Sequence, residues 1–136
     1  MNYWLIKTEP GNYSWDDLVR DKQTYWDGVR NYQARNNLKQ MQIGDLCLYY
    51  HSVNEKSNVG VAKVVKESYQ DPTTEDDRWV AVDVVPELAF AKPVTLADVK
   101  ADDRLSEMVL VNNSRLSVQP VKKVEFDLVV SMGNAG

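Results

Sequence analysis

Apolar and polar positions alternate along residues 3–8. Tyr3, Leu5 and Lys7 fall on one side, Trp4, Ile6 and Thr8 on the other, and Pro10-Gly11 follows. A period of two ended in this way predicts a strand. The spacing then changes: Ser14 is a good N-cap with Asp17 three residues on, and Trp15, Leu18 and Val19 share a face, which predicts a short helix over 14–20. Residues 24–30 read as a connection, and Asn31 as the cap of a helix over 32–41. On that helix Ala34, Leu38 and Met41 form the buried face, with Tyr32, Arg35 and Lys39 on a separate stripe. Gln42 to Asp45 stops the helix and turns the chain into a strand that begins at Leu46 and ends at Ser52.

Further on, a polar loop over 54–58 precedes strands predicted at 59–69 and 79–86. In the second of these Val80, Val82 and Val84 point together, opposed to Asp83. Phe90 to Val94 reads as another strand, interrupted by Pro93, and Thr95 caps a short helix over 96–100. A helical turn around 103–107 and a strand or strand end at 114–118 follow. Beyond Pro120, the positions of Val124, Phe126 and Val130 fit either a helix or a strand over 121–132. Consecutive strands with short connections, and helices inserted near the start, indicate an α+β fold on a strongly bent or closed sheet. No βαβ repeat, internal repeat or linker is present, so residues 1–136 are expected to form one domain.

Composition narrows the function classes. No apolar run approaches the length of a bilayer span and the first residues lack a signal-peptide pattern, which points to a cytoplasmic protein with no membrane partner. Cys47 is the only cysteine and His51 the only histidine, so neither a disulfide within the chain nor a four-ligand zinc site is expected. Leu46-Cys47-Leu48 suits a small buried residue better than a reactive thiol. The six glycines are scattered, so no phosphate loop is expected, and Glu75-Asp76-Asp77 lacks metal-ligand spacing and reads as solvated. No metal, cofactor or catalytic nucleophile is expected. The net charge of −4 argues against coating nucleic acid by bulk electrostatics but allows a local basic face at Arg30, Arg35 and Lys39.

The candidate chemistry lies in the first third of the chain. Most of the aromatic residues fall before residue 51: Tyr3, Trp4, Tyr13, Trp15, Tyr25, Trp26, Tyr32, Tyr49 and Tyr50. Among them stand Lys7, Thr8, Glu9, Asp27, Arg30, Asn31 and Arg35. Rings beside directional polar groups are what holding a planar heterocycle requires, because the ring stacks and the polar groups read its edge. Lys7 and Glu9 read either as an ordinary surface ion pair or as a cleft pair that anchors an anion and accepts from an amine. Trp26 reads either as a core plug or as a stacking platform, and the opening of the 32–41 helix can receive a phosphate or carbonyl beside Arg30 and Arg35. His51, next to two tyrosines, reads first as a hydrogen-bonded strand residue.

These stretches resemble the EVE domain family. Tyr3-Trp4-Leu5-Ile6-Lys7-Thr8-Glu9-Pro10, Tyr13-Ser14-Trp15-Asp16-Asp17-Leu18 and the whole of Trp26-Asp27-Gly28-Val29-Arg30-Asn31-Tyr32-Gln33-Ala34-Arg35-Asn36 are similar to its motifs. Tyr49 to Ser52, Asp71-Pro72-Thr73, Pro93 to Leu96 and Arg115 to Pro120 match in order, whereas Lys122-Lys123-Val124-Glu125-Phe126 departs from the acidic, tryptophan-bearing helix usual there. The resemblance implies a PUA-like fold: an α+β, bent antiparallel or mixed β-barrel with helices packed around it. It also implies a non-catalytic reader of modified bases, notably modified cytosine in DNA, that takes a flipped base into a pocket, with DNA or RNA as partner. Carried over, the pocket would draw on Lys7, Thr8 and Glu9, on the Trp26-to-Asn31 stretch with Gly28 and Val29, and on Tyr50, His51 and Ser52. Arg115, Ser117 and Val118 would close its far wall, and Arg30, Arg35 and Lys39 would meet phosphate. The expectation is that Trp26 and Tyr50 converge on one hollow. The alternatives are a hydrolase of acylated cytidine using Lys7, Thr8 and Glu9, as in the distantly similar ASCH domains, and a small-molecule or protein-binding module.

Overall fold

A computed structural model describes residues 1–53, 56–113 and 115–134. The elements run β1 (Tyr3–Thr8), α1 (Trp15–Asp21), β2 (Thr24–Trp26), α2 (Tyr32–Gln40), β3 (Leu46–His51), β4 (Ser57–Gln70) and β5 (Val80–Thr95). They continue with α3 (Leu96–Ala101), a 3-10 turn (Asp103–Leu105), α4 (Val109–Asn112), β6 (Val118–Val121) and α5 (Lys123–Asn134). The six strands form one mixed sheet in the order β2-β5-β4-β3-β1-β6, in which β1 and β3 are parallel and the other pairs antiparallel. The sheet bends without closing: β2 and β6 remain its two edges. The bend comes from register slips, one in the β3–β4 pair at Tyr49/Tyr50 and several along β4–β5. An extra residue on one strand kinks it and increases its twist.

Local signals explain the helix starts. Ser14 accepts from the Asp17 N–H at 3.1 Å while the Asp17 carboxylate accepts from the Ser14 N–H at 2.8 Å, a complete capping box. Asn31 accepts from the Ala34 N–H at 2.9 Å. Thr95 and Asp98 repeat the capping box at α3.

Alternation along β1 and β3 divides the interior in two. Trp4, Ile6, Cys47 and Tyr49 face α1 and α2, together with Trp15, Leu18, Trp26, Leu38 and Val82. Leu5, Leu48 and Tyr50 face the other way, against Val99, Leu105, Met108, Phe126 and Val129 from the C-terminal helices. Each strand therefore buries both faces. No helix among the described residues is long and apolar enough to cross a membrane.

Several expectations are corrected. Residues 24–26 form a strand rather than part of a connection, because Thr24 and Trp26 pair with Val84 and Val82 at the sheet edge. The strands expected at 79–86 and at Phe90 to Val94 are one strand, β5. Pro86 and Pro93 sit where the β4–β5 register slips, which is where a strand tolerates a missing N–H. Val19 is 48% exposed, one residue round the helix from buried Leu18. The last strand begins at Val118, and Arg115 to Ser117 leads into it. The segment left open after Pro120 is helical, with Phe126 and Val129 buried. Of the polar loop expected at 54–58, Ser57 and Asn58 belong to β4, and Asn54 and Glu55 lie outside the described residues, as does Ser114 of the expected 114–118 strand.

Candidate functional site

An open cleft of about 750 Å³ lies on the α1–α2 side. The end of β1 (Lys7, Thr8), the approach to α1 (Asn12, Tyr13), Asp21, the continuous stretch Gln23–Arg30, and Ser117 line it. At its base Trp26, only 8% exposed, meets the Tyr49 ring edge-on at 5.4 Å, and Tyr49 meets Trp15 at 5.3 Å. Edge-to-face pairs of this kind hold ring orientation as well as bury area. Tyr25 stands half exposed at the rim. The Thr8 hydroxyl donates to the Tyr13 carbonyl at 2.8 Å, and the Tyr13 hydroxyl donates to Asp21 at 2.9 Å, which ties one wall together.

The opposite wall, Trp26 to Arg30, is held from outside. Gly28 has φ +72°, a conformation that suits glycine. Its N–H donates to Asp71 at 2.8 Å, and Arg30 Nη1 donates to the same carboxylate oxygen at 2.9 Å. Asp71, fully buried in the β4–β5 connection, also accepts from the backbone N–H of Thr73 at 2.7 Å. Burial works to raise its pKa, but the hydrogen bonds from Thr73, Gly28 and Arg30 outweigh that and hold it down at about 2. The Arg30 guanidinium lies over Trp79 at 5.5 Å, Trp79 against Tyr32 at 5.2 Å, and Arg35 over Tyr32 at 4.9 Å. Arg78 donates to the Tyr32 hydroxyl at 3.2 Å. This cation–aromatic ladder braces the wall against α2.

The cleft brings together Lys7, Thr8, Trp26, Gly28, Val29, Arg30 and Ser117 from the expected set. It does not bring together the rest. Tyr50 lies on the other face of the sheet, 3% exposed among Leu5, Leu48 and Val61. Trp26 and Tyr50 do not converge, because adjacent strand residues point apart; the ring behind Trp26 is Tyr49. His51 is buried and accepts the Trp15 N–H through Nε2 at 3.0 Å, supporting the first turn of α1. Ser52 hydrogen-bonds the Thr8 carbonyl through both its N–H and its hydroxyl. Glu9 is exposed and accepts from Asn12 at 3.2 Å, and the Asn31 side chain is used in capping α2. Val118 is buried in the core behind the cleft, and Arg115 is exposed outside its lining. Of the expected phosphate contacts, Arg35 is half-buried in the ladder and Lys39 is exposed at the far end of α2.

Asn12, Tyr13, Asp21, Gln23, Thr24 and Tyr25 line the cleft without having been singled out from the sequence as site residues, and Asp27 lines it as part of the expected Trp26-to-Asn31 stretch. Tyr13 and Tyr25 belonged to the N-terminal excess of rings, which was the available signal. Asp21 and Gln23 carried none, since only the packing of α1 beside β2 brings them there. Burial raises the Asp27 carboxyl above its ordinary range, and the nearby Asp71 charge adds to this against the pull of its own backbone N–H and of Arg30. Burial likewise lowers the Lys7 ammonium. The arrangement offers an aromatic floor, polar rims, and one anionic and one cationic flank.

The EVE domain family model matches residues 2–132. Human thymocyte nuclear protein 1 is 36% identical over 165 residues, covering 96% of this chain and 73% of that protein. A crystal structure from Agrobacterium tumefaciens superposes with a TM-score of 0.95 at 42% identity, covering 100% of this chain and 97% of that one. The human THYN1 protein, solved in complex with 5-methylcytosine containing DNA, superposes with a TM-score of 0.92 at 34% identity, covering 100% and 99%. An ASCH protein of Zymomonas mobilis, at 12% identity and a TM-score of 0.58, shares the fold alone. The bent mixed sheet with helices around it is PUA-like, and the chain belongs to the EVE domain family.

Proposed function

We propose that this protein is a non-catalytic reader of DNA carrying modified cytosine, 5-methylcytosine foremost, and that it seats the extruded base in the cleft above Trp26. The observation that carries the reading is the cleft itself. A hollow of about 750 Å³ with an aromatic floor and a polar rim opens in a chain that matches, over its whole length, a human protein solved with 5-methylcytosine DNA. Its size falls in the ordinary range of ligand pockets. Extruding a base costs a few kcal/mol, and stacking on one ring returns about 1–3 kcal/mol. With two or three edge hydrogen bonds the exchange roughly balances. A buried methyl then adds on the order of 0.8 kcal/mol, about a fourfold preference.

The placement of Glu9 favours a reader over the hydrolase alternative, since its exposed carboxylate is held at the cleft's edge by Asn12 and is not part of the lining, to which Lys7 and Thr8 belong. Fluorescence anisotropy with duplexes bearing 5-methylcytosine or cytosine at one position tests the reading, with RNA of the same sequence as competitor. Preference for the methylated duplex is expected, with Trp26→Ala weakening it by about 1–3 kcal/mol in protein shown to melt cooperatively. Equal affinity for both duplexes, untouched by Trp26→Ala, would sink the proposal.

A further inference from the structure

Among the described residues two carboxylates line the cleft, and they differ in how they are used. Asp21 is exposed and already occupied: Arg20 donates to it at 2.9 Å and Tyr13 at 2.9 Å. Asp27 is half-buried between Trp26 and Gly28, and among the described residues no other side chain hydrogen-bonds or ion-pairs with it. Arg30, whose charge Asp27 feels, is held by Asp71 at 2.9 Å. A part-buried carboxylate whose one hydrogen-bond donor is its own backbone N–H keeps acceptor capacity that is costly to leave unused, and burial pushes its pKa upward. A ligand that presents an N–H relieves the cost, whereas one that presents a carbonyl or phosphate oxygen there adds to it.

The pyrimidines divide on this point. Cytosine carries an N4 amine, for which a carboxylate is the matching acceptor, and thymine carries the O4 acceptor in its place. We infer that Asp27 accepts the exocyclic N4–H of the cytosine lying over Trp26 and is the residue that sets cytosine against thymine. The inference rests on the base-reading function proposed above and names its specificity residue. It also assigns the methyl and the amine to different parts of the cleft: the ring floor holds the first and Asp27 reads the second.

5-Methylcytosine and thymine share the ring and the methyl group, so comparing them isolates the amine. Anisotropy is measured on duplexes in which either base faces an abasic site, making extrusion equally easy for both. The native protein is expected to prefer 5-methylcytosine by roughly tenfold or more, the discrimination of one good polar contact. Asp27→Ala should bring the ratio close to one, by weakening the 5-methylcytosine duplex and, with the carboxylate no longer facing O4, by strengthening the thymine duplex. Asp27→Ser serves as a second truncation should the first melt early, since a lost fold lowers both affinities together and a lost reader changes their ratio. A ratio preserved in either folded variant overturns the assignment of Asp27 and leaves base reading standing. Absence of preference in the native protein also overturns it, and failure to bind either duplex removes the base-reading function with it.

Discussion

Tyr49 and Tyr50 are neighbours in the chain and opposites in the molecule. Tyr49 is fully buried on the α1–α2 side, where its ring is met edge-on by Trp15 and Trp26 and thereby backs the cleft floor. Tyr50 is buried among Leu5, Leu48 and Val61 beneath the C-terminal helices. One face is filled mainly by aliphatic side chains, with Tyr3 and Phe126 in ring contact among them. The other is built of large rings that leave a hollow once the 26–30 segment is tied back to Asp71. Each face also seats an aromatic on a glycine: a Cβ on Gly60 would meet Trp15 at 2.8 Å, and a Cβ on Gly133 would meet Phe90 at 2.5 Å. Large, weakly interdigitating rings need an external brace, and the buried Asp71 is that brace.

The largest expected effect comes from breaking the brace. Asp71→Ala leaves the Gly28 N–H and the Arg30 guanidinium without their acceptor and should cost about 3 kcal/mol in denaturant unfolding, at the low end for a broken buried pair because Arg30 is part exposed. DNA binding should fall with it. Asp71 also sets an acid window. Its folded pKa of about 2 lies below the ordinary 3.8, so its contribution is present above about pH 4 and is lost as pH falls towards 2. Asp71→Ala should remove that part of the acid sensitivity, and an unchanged slope between pH 4 and 2 would show that the carboxylate is not the brace.

Gly60→Ala ranks next, at about 2 kcal/mol, because the new methyl meets the Leu88 carbonyl as well as the Trp15 ring and backbone cannot swing aside. Gly133→Ala should cost about 1–2 kcal/mol, since the nearest contacts include Cγ, the root of the half-buried Phe90 ring, while alanine's better helix propensity returns part of the loss. Thermal melts of the two variants compare the faces directly, and a larger loss at Gly133 would reverse the ranking. Tyr49→Leu forfeits the edge contacts with Trp15 and Trp26, worth about 0.5–1.5 kcal/mol each, and should weaken binding of methylated DNA. The smallest effect belongs to Tyr50→Phe, for which affinity should stay within about twofold, since only the hydroxyl is lost and the ring beneath the Lys7 ammonium, at 5.6 Å, is kept. Anisotropy on that variant pair sharpens the comparison, and a drop for Tyr50→Phe alone would put the ligand on the wrong face.

Much of this was legible along the chain, and the failures have a common cause. The caps at Ser14, Asn31 and Thr95 are signals spanning three residues, so β1, α1, α2, β3 and α3 could be placed from sequence. Strand β2 was missed because three residues make a strand only when an edge is offered, and Val82 and Val84 of β5 offer it. Tyr50 was set opposite Trp26 because residue type identified a ring without saying which way it faced. Alternation with Cys47 and His51 would have placed Tyr49 on the Trp4 and Ile6 side, but only the parallel β1–β3 register establishes which side opens.

The sequence by itself determined most of the local elements, the alternation along β1 and the store of rings and polar groups near the N-terminus, because these depend on periodicity and short-range hydrogen bonds. Tertiary structure alone decided where the hollow lies and which groups enter it. Asp71 reaches Gly28 across more than forty residues, and Asp21, Gln23 and Asp27 share a cleft only once α1 packs beside the sheet edge. Those contacts are long-range, and a one-residue change of direction along a strand reverses them.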